Sequence, residues 1–139
     1  MTYNTLVRIS GVILLITCCL LPWQARAENG SEQKPAQADY RRLAGKWERP
    51  DGGYIMKLSD VGKDGKIRAE YFNPRPINVS KAEWRTMGER IQVLVELRDV
   101  NYPGSAYTLV YSRQEDRLEG YYYQAATGQT FEIVFVRAK

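Results

Sequence analysis

Histidine is absent from this 139-residue chain, and cysteine occurs only as the adjacent pair Cys18 and Cys19. Histidine is the usual general base at neutral pH and the commonest metal ligand in proteins. Its absence excludes Ser-His-Asp and Cys-His catalysis and argues against zinc, copper or haem ligation. The sequence therefore predicts a protein without a metal or other cofactor, whose function rests on other side chains.

The first 27 residues have the features of a secretory signal peptide. Arg8 precedes an apolar run at residues 12–21, and Ala25-Arg26-Ala27 fits the small-x-small cleavage rule. A run of about 10 residues is too short for a membrane-spanning helix, which needs about 20. We expect cleavage after Ala27, a periplasmic or secreted protein, and no transmembrane segment in the mature chain.

Both cysteines lie within this leader, so we expect no disulfide and no thiol nucleophile in the mature chain. A bacterial lipoprotein signal that lipidates Cys18 is the alternative. It is disfavoured because Thr17 stands where such signals carry glycine, alanine or serine. Residues 28–39 are polar and lack periodicity, which predicts a disordered linker before a single domain at residues 40–139.

The charged residues give no indication of a nucleic-acid partner. The chain has 20 basic and 16 acidic residues, and two of the basic ones, Arg8 and Arg26, lie in the leader. The other lysines and arginines are scattered, whereas nucleic-acid binding needs a basic patch or stripe. We therefore expect no nucleic-acid partner.

From Trp47 onward, apolar and polar residues alternate with a period of two, which is typical of strands with one buried face. In residues 90–98, for example, Ile91, Val93 and Val95 occupy alternate positions. The pattern predicts an all-β fold, an eight-stranded antiparallel up-and-down β-barrel, with a flattened β-sandwich as the alternative. The eight runs are residues 45–49, 53–61, 66–72, 77–86, 90–98, 105–113, 117–124 and 130–137.

Two local expectations accompany this pattern. Residues 40–44 are predicted to form one helical turn before the first strand. Pro74, Pro76 and Pro103 are expected in the gaps between strands, because proline cannot donate a hydrogen bond to a sheet ladder.

The connections between runs are of two kinds, and antiparallel strands would place each kind at its own end of the barrel. The short-turn end has the compact polar turns 61–65, 87–89 and 114–116. The long-loop end has the connections 49–53, 73–76, 99–104 and 125–128, which carry proline, arginine, aspartate, asparagine and tyrosine. Functional residues concentrate on loops held by a rigid scaffold. We therefore predict the functional site at the long-loop end.

The first strand begins with Gly45-Lys46-Trp47, and Arg137 ends the last one. This pattern resembles the calycin group of lipocalin-like and avidin-like barrels, which begin with Gly-x-Trp. The resemblance implies that the first and last strands pair and that Arg137 packs over Trp47 in a structural role. The chain also resembles an uncharacterised family of small exported bacterial proteins with stretches like residues 49–54 and 101–105. The lipocalin disulfides and the biotin-contacting set of avidin are not recognisable, so the resemblance implies no particular ligand.

Tyrosine is the richest chemical signal. Alternation predicts that Tyr54, Tyr71, Tyr107, Tyr111 and Tyr122 face inward, together with Trp47, Trp84, Met56, Phe131 and Phe135. Several inward hydroxyl groups indicate either a polar network in a filled core or a small ligand cavity. Tyr121 and Tyr123 should then face outward. The candidate ligand-binding residues are Arg49, Asp51, Arg75, Asp99, Asn101, Tyr102, Tyr54, Tyr71, Tyr107, Tyr122 and Gln129.

We expect a non-enzymatic protein that binds a small apolar or aromatic ligand at the open end of the barrel. The alternative is a protein-interaction module, an inhibitor or accessory subunit of an envelope complex, with a solid core and an exposed Tyr102-Pro103 loop. A third hypothesis is an enzyme in which Asp51 and Asp99 act as general acid and base. Turn capping is the competing interpretation of both aspartates.

Two smaller features have ordinary structural interpretations. Asp60 and Asp64 lie near each other in sequence, but the full ligand set of a calcium-binding loop is absent. Ser105 follows Gly104, and no histidine or lysine partner can be named for it, so it is expected to be a turn residue.

Overall fold

The computed structural model describes residues 40–139. The expected signal peptide, its cleavage and lipidation signals, and the linker lie outside the described residues. A 3₁₀ helix at Tyr40–Leu43 precedes the strands, which confirms the predicted helical turn. The strands are β1 Gly45–Glu48, β2 Ile55–Ser59, β3 Arg68–Asn73, β4 Arg75–Ile77, β5 Val79–Met87, β6 Arg90–Asp99, β7 Tyr102–Ser112, β8 Arg117–Gln124 and β9 Gln129–Arg137.

These strands form one antiparallel sheet that curls into a nearly closed barrel. Its strand order is β4-β3-β2-β1-β9-β8-β7-β6-β5. The first and last strands pair as expected, with Trp47 opposite Arg137 and Glu48 opposite Val136. Every other neighbour in the order is also antiparallel and consecutive in sequence. An all-β, antiparallel, up-and-down arrangement is therefore confirmed.

The predicted number of strands was wrong, because a short strand forms where the connection 73–76 was predicted. This strand, β4, pairs with β3, and after Asn78 the chain continues as β5, which pairs with β6. Asn78 is held at this division by the β6–β7 connection: its backbone N–H donates to Asp99 Oδ2 at 2.9 Å, and its side-chain amide donates to the Arg98 carbonyl at 3.0 Å. The barrel consequently has nine strands.

The expected position of two prolines was also wrong. Pro76 lies in β4, opposite Phe72, and β4 is the last strand at one edge of the sheet order. Pro103 lies in β7 at a register shift, where Leu97 pairs with Ser105 and Arg98 pairs with Pro103. An edge strand and a bulge are the two places where a sheet tolerates the missing N–H of proline.

The barrel closes between β3 and β5 through a small clasp at the short-turn end. The Trp84 backbone N–H donates to the Gly65 carbonyl at 2.8 Å, and the Trp84 indole donates to the Gly62 carbonyl at 2.8 Å. A single antiparallel bridge joins Lys66 and Glu83. Tyr40 stacks on the Trp84 ring with centroids 4.8 Å apart, which ties the 3₁₀ helix to this closure.

The core follows the predicted alternation. Trp47, Trp84, Met56, Tyr71, Tyr107, Tyr111 and Phe135 are buried, and the core also contains leucine, isoleucine and valine side chains from β2 and β6 to β9. Tyr121 and Tyr123 are 52% and 45% exposed, as expected for outward positions. Phe131 is 42% exposed although it pairs with inward-facing Tyr122, because it lies at the mouth of a cavity described below.

Candidate functional site

A cavity of about 420 Å³ opens at the long-loop end of the barrel. Side chains from the loops and strand ends at this end converge on it, together with inward tyrosines from deeper in the strands. The lining residues are Arg49, Asp51, Tyr54, Tyr71, Asn73, Asn101, Tyr102, Tyr107, Tyr122, Gln124, Phe131 and Glu132.

The fold brings together eight of the eleven side chains predicted for the ligand site, although they come from distant parts of the sequence. They are Arg49, Asp51, Tyr54, Tyr71, Asn101, Tyr102, Tyr107 and Tyr122.

Arg75, Asp99 and Gln129 do not line this cavity, so their place in a ligand site stays a prediction. Arg75 and Gln129 are exposed, Arg75 at the start of β4 and Gln129 at the start of β9. Asp99 accepts hydrogen bonds from the backbone N–H groups of Asn78 and Val100, at 2.9 and 2.7 Å. These bonds lower the pKa of Asp99 and fix the β6–β7 connection. The cavity therefore does not bring Asp51 and Asp99 together.

Sequence reasoning missed four lining residues: Asn73, Gln124, Phe131 and Glu132. Asn73 and Gln124 end β3 and β8 on the long-loop side, so an amide at the last strand position was a usable signal. Phe131 was predicted to face inward, but nothing in the pattern showed that the interior remains open at its level.

Three tyrosines form the floor and wall of the cavity. The hydroxyl groups of Tyr71 and Tyr107 lie 2.7 Å apart and share a hydrogen bond. The Tyr107 and Tyr122 rings stack with centroids 4.6 Å apart, and Tyr71 and Tyr107 lie at 5.4 Å. Because Tyr107 is completely buried, its ring positions both neighbours from below. The arrangement fixes a continuous aromatic surface inside the cavity.

Arg49 connects this aromatic surface to the loop at the cavity rim. Its Nε and Nη2 atoms donate to the two carboxylate oxygens of Asp51 at 2.9 and 2.6 Å. The guanidinium lies 4.4 Å from the centroid of the Tyr54 ring and hydrogen-bonds to the Tyr107 hydroxyl. Only 11% of the Arg49 side chain is exposed, compared with 61% of Asp51. The arginine is therefore a fixed part of the wall, while one side of its carboxylate partner faces solvent.

The pKa shifts follow from this geometry. Burial works against the charge of Arg49, but its bonds to Asp51 and Tyr107 outweigh burial and raise its pKa. The bond from Arg49 lowers the pKa of Asp51. Burial raises the pKa of Tyr107 to about 12, although Tyr71 and Arg49 favour its phenolate. At neutral pH the cavity thus presents a compensated ion pair and a neutral phenol.

Tyr102 and Asn73 meet across the cavity rim. The Asn73 side-chain amide donates to the Tyr102 hydroxyl at 2.7 Å, and the Tyr102 ring packs edge-on against Tyr71 at 6.3 Å. This contact joins the end of β3 to the start of β7. Tyr102 is half-buried, so it is part of the cavity wall and not a fully exposed loop tip.

Ser105 supports the site from behind, and its expected role as a turn residue was wrong. It lies in β7, is completely buried, and accepts a hydrogen bond from the Ala125 backbone N–H at 3.1 Å. Its hydroxyl also hydrogen-bonds to Tyr122. Ser105 therefore holds the β8–β9 connection and the Tyr122 side chain together.

The short-turn end of the barrel is closed, in contrast to the long-loop end. The Arg137 guanidinium lies 4.2 Å from the Trp47 ring centroid and donates through two nitrogens to the Asp116 carboxylate. It also donates to the carbonyl groups of Ala44 and Arg42, at 3.0 and 2.6 Å. Any side chain on Gly45 would collide with this guanidinium. The seam predicted between the first and last strands is thus present, and it plugs this end.

Asp60 and Asp64 are engaged in ion pairs. Asp60 pairs with Arg68 at 3.1 Å, and Asp64 pairs with Lys66 at 3.2 Å and accepts a bond from the Lys66 backbone N–H. Among residues 40–139, no three side chains of His, Cys, Asp or Glu form a group that could hold a metal ion.

A second depression, a shallow groove of about 680 Å³, lies on the outer face of the sheet. It runs over β7, β8 and β9, where outward side chains such as Val110, Tyr121 and Val134 form its apolar part. Glu119 and Glu132 add carboxylates to the same groove. The groove is larger than the cavity and more open to solvent, and the two share Asp51 and Glu132 at their border. Convergent polar and aromatic groups, which are typical of ligand sites, lie in the cavity.

No family model, no curated protein sequence and no solved structure gives a significant match to this chain. In the part of the chain that the structure describes, no helix has the length and apolar character needed to cross a membrane.

Proposed function

We propose that this protein is an exported, non-enzymatic binding module that holds a small ligand in the open end of a calycin-like barrel. One observation carries the proposal: the cavity of about 420 Å³ at the long-loop end, with its tyrosine walls and its buried arginine. Its size falls within the range of small-molecule sites, about 300–1,000 Å³. Its convergent polar groups are of the kind that orient a ligand in such sites.

The calycin-like part of the proposal is supported by the opposite end of the barrel. An arginine of the last strand lies over a tryptophan of the first strand, and Gly45 leaves room for it. The same arrangement was the basis of the sequence resemblance. Together with the clasp at Trp84, it leaves the long-loop end as the side from which a ligand would enter.

The non-enzymatic part is supported by the state of the ionisable groups in the cavity. Asp51 has a lowered pKa and is paired with Arg49, so it serves poorly as a proton donor at neutral pH. Tyr107 has a pKa of about 12 and serves poorly as a base. Both groups are better suited to hydrogen bonding than to proton transfer.

Adjacent residues of β8 provide a test with a built-in control. Tyr122 lines the cavity, whereas Tyr121 faces outward. We would screen the purified protein against a library of small soluble metabolites by ligand-observed NMR. We expect at least one binder, with affinity at least tenfold weaker in Tyr122→Ala and unchanged in Tyr121→Ala, a difference of about 1.4 kcal/mol or more. Binding that depends on Tyr121 and not on Tyr122 would contradict the proposal.

A protein-interaction module is the second candidate, favoured by the outward aromatic stripe of Tyr121 and Tyr123 beside the outer groove. Exposed aromatic side chains are enriched at protein interfaces. The Tyr102-Pro103 loop is a weaker docking element than the sequence indicated, because the Tyr102 hydroxyl is bonded to Asn73. This candidate expects a partner from the cell envelope that is lost in Tyr121→Ala and retained in Tyr122→Ala, the reverse of the ligand-binding result.

A further inference from the structure

We propose that the cavity binds a neutral saccharide of one or two sugar rings. This inference rests on the proposed ligand-binding function and adds the chemical class of the ligand. Three features of the cavity support it: the charge of the lining, the polar atoms that a ligand would cover, and the shape of the aromatic walls.

The charge of the lining favours a neutral ligand. The positive charge of Arg49 is compensated by the bidentate carboxylate of Asp51, which is two residues away in the same loop. The remaining carboxylate, Glu132, lies at the exposed rim, where solvent screens it. A bound anion would find its only cation already paired, and a bound cation would find no enclosed counter-charge among the described lining residues.

The polar atoms disfavour a wholly apolar ligand. Asn73, Asn101 and Gln124 place side-chain amides on the lining, and Asp51 turns one side of its carboxylate towards solvent. The amides of Asn73 and Gln124 each have one protein partner, Tyr102 and Thr127. An apolar body would still strip water from their other polar atoms and from the Asn101 amide, at a cost of about 1–3 kcal/mol for each buried group. A phenol would satisfy one of them, but a sugar with several hydroxyl groups would satisfy most.

The two kinds of surface match the two faces of a sugar ring. Hydroxyl groups both donate and accept, as the side-chain amides of the lining do, and a carboxylate accepts from adjacent hydroxyl groups. The C–H faces of a pyranose are apolar and flat enough to lie against an aromatic ring. Tyr122, whose ring stacks on buried Tyr107, and Phe131, its register partner on β9, contribute such rings to the lining. The cavity therefore offers both aromatic surface and polar groups, as a sugar requires.

The test compares neutral sugars with charged and apolar probes of similar size. Binding of maltose, lactose, N-acetylglucosamine and N,N′-diacetylchitobiose to the full mature protein would be measured by saturation-transfer NMR and titration calorimetry. Glucosamine, glucuronate and 2-naphthol would be the cationic, anionic and apolar probes. We expect a neutral sugar to bind with a Kd of about 1 mM or tighter, and the three other probes to bind at least tenfold more weakly.

Two variants and one control locate the binding. Asn101→Ala removes an exposed amide of the lining, and Tyr122→Ala removes an aromatic wall; each should weaken sugar binding at least tenfold. Tyr121→Ala, on the outer face, should leave it unchanged. Sugar binding that is indifferent to both cavity variants would overturn the inference.

The remaining outcomes separate the inference from the proposed function. If 2-naphthol or glucuronate binds in a Tyr122-dependent manner and no neutral sugar does, the saccharide inference is wrong while the ligand-binding function stands. If no probe and no member of the metabolite library binds, and a protein partner depends on Tyr121, both the inference and the proposed function are wrong.

Discussion

The two ends of this barrel use the same chemical parts for different purposes. Each end has an arginine that is held bidentately by an aspartate and stacked on an aromatic ring: Arg137 with Asp116 and Trp47, and Arg49 with Asp51 and Tyr54. The guanidinium-to-ring distances are nearly equal, 4.2 and 4.4 Å. The motif itself therefore does not decide whether an end is closed or open.

The difference lies in which parts of the chain each arginine connects. Arg137 bonds to Asp116, 21 positions away, and to the carbonyl groups of Ala44 and Arg42, 93 and 95 positions away. The carboxylate that holds Arg49 is only two positions away, and the guanidinium also bonds to the Tyr107 hydroxyl on β7. The bonds of Arg137 to a distant carboxylate and to backbone carbonyl groups fix separate parts of the chain together and so stabilise the fold, whereas the bonds of Arg49 to two side chains orient it in the cavity wall. The comparison teaches that Arg137 is a structural plug and Arg49 is a positioned part of the cavity wall.

The largest expected effect is at the closed end. Trp47→Ala deletes a fully buried indole from the core and should lower the free energy of unfolding by about 4 kcal/mol. Tyr122→Ala, at the open end, removes a half-buried ring beside existing space and should cost about 1–2 kcal/mol. Urea unfolding followed by circular dichroism measures both. Equal losses would show that the open end contributes as much to stability as the closed end.

The two arginines give the next comparison. Arg137→Met should lower the free energy of unfolding by about 3 kcal/mol, because it removes a bidentate ion pair, two bonds to backbone carbonyls and a cation–π contact. Arg49→Met should cost about 1 kcal/mol, because Asp51 is 61% exposed and can be hydrated by water. Urea midpoints of the two variants check this order, and the reverse order would refute the assigned roles.

At alkaline pH, comparison of the Tyr107→Phe variant with the natural protein probes the open end, while the raised pKa of Tyr111 at the closed end affects both proteins alike. Its pKa is raised from the ordinary value of about 10 to about 12 in the folded protein, chiefly by burial. A raised pKa gives stability that is fully present below the unfolded value and is lost as pH rises towards the folded one. Tyr107→Phe should cost about 1 kcal/mol at neutral pH and should show a shallower loss of stability above about pH 10.

Urea midpoints measured from pH 8 to pH 11 would show this difference. Burial also raises the pKa of Tyr71 and Tyr122, so the variant should retain part of the alkaline slope. Identical slopes in the variant and the natural protein would contradict the assigned burial of Tyr107.

The smallest expected effect on stability is at the closed end of the barrel and is measured at acid pH. The bond from Arg137 lowers the pKa of Asp116, so this carboxylate adds stability above its unfolded pKa of about 4, and that stability is lost as pH falls through the folded value. Asp116→Asn should therefore lower stability at neutral pH by about 1 kcal/mol or less, because the pair is partly exposed, and should flatten the acid slope. Urea midpoints of the Asp116→Asn variant measured from pH 2 to pH 7 check this expectation. Asp51→Asn is the matched variant at the open end.

Much of the fold could be predicted because its determinants are local. Inward and outward side chains alternate along each strand, so the inward and outward residues of β6 to β8 could be predicted from the sequence. The division at Asn78 was not, since it depends on hydrogen bonds to Asp99 and Arg98, about 20 residues later. The bond between Asp99 and Asn78 was equally beyond local sequence patterns.

Most residues of the candidate site could be predicted from the sequence, but the shape of the cavity could not. Antiparallel alternation was enough to assign Arg49, Tyr71 and Tyr107 to one end. Alternation does not reveal whether side chains fill the barrel interior at a given height along its axis. The exposure of Phe131 and the existence of the cavity could therefore not be predicted from it. The 2.7 Å contacts of the Tyr71 and Tyr102 hydroxyls likewise require three-dimensional positions.

The sequence by itself determined most of the strands and their inward and outward faces, because side-chain alternation and turn residues act over a few positions. It also determined that no histidine is available for chemistry. Only the tertiary structure decided that the long-loop end stays open while the other is plugged. Packing is a property of side chains that meet across the barrel. Here Arg137 bonds to the backbone carbonyl groups of Ala44 and Arg42, whereas Arg49 bonds to the carboxylate of its own loop and to the Tyr107 hydroxyl in the cavity.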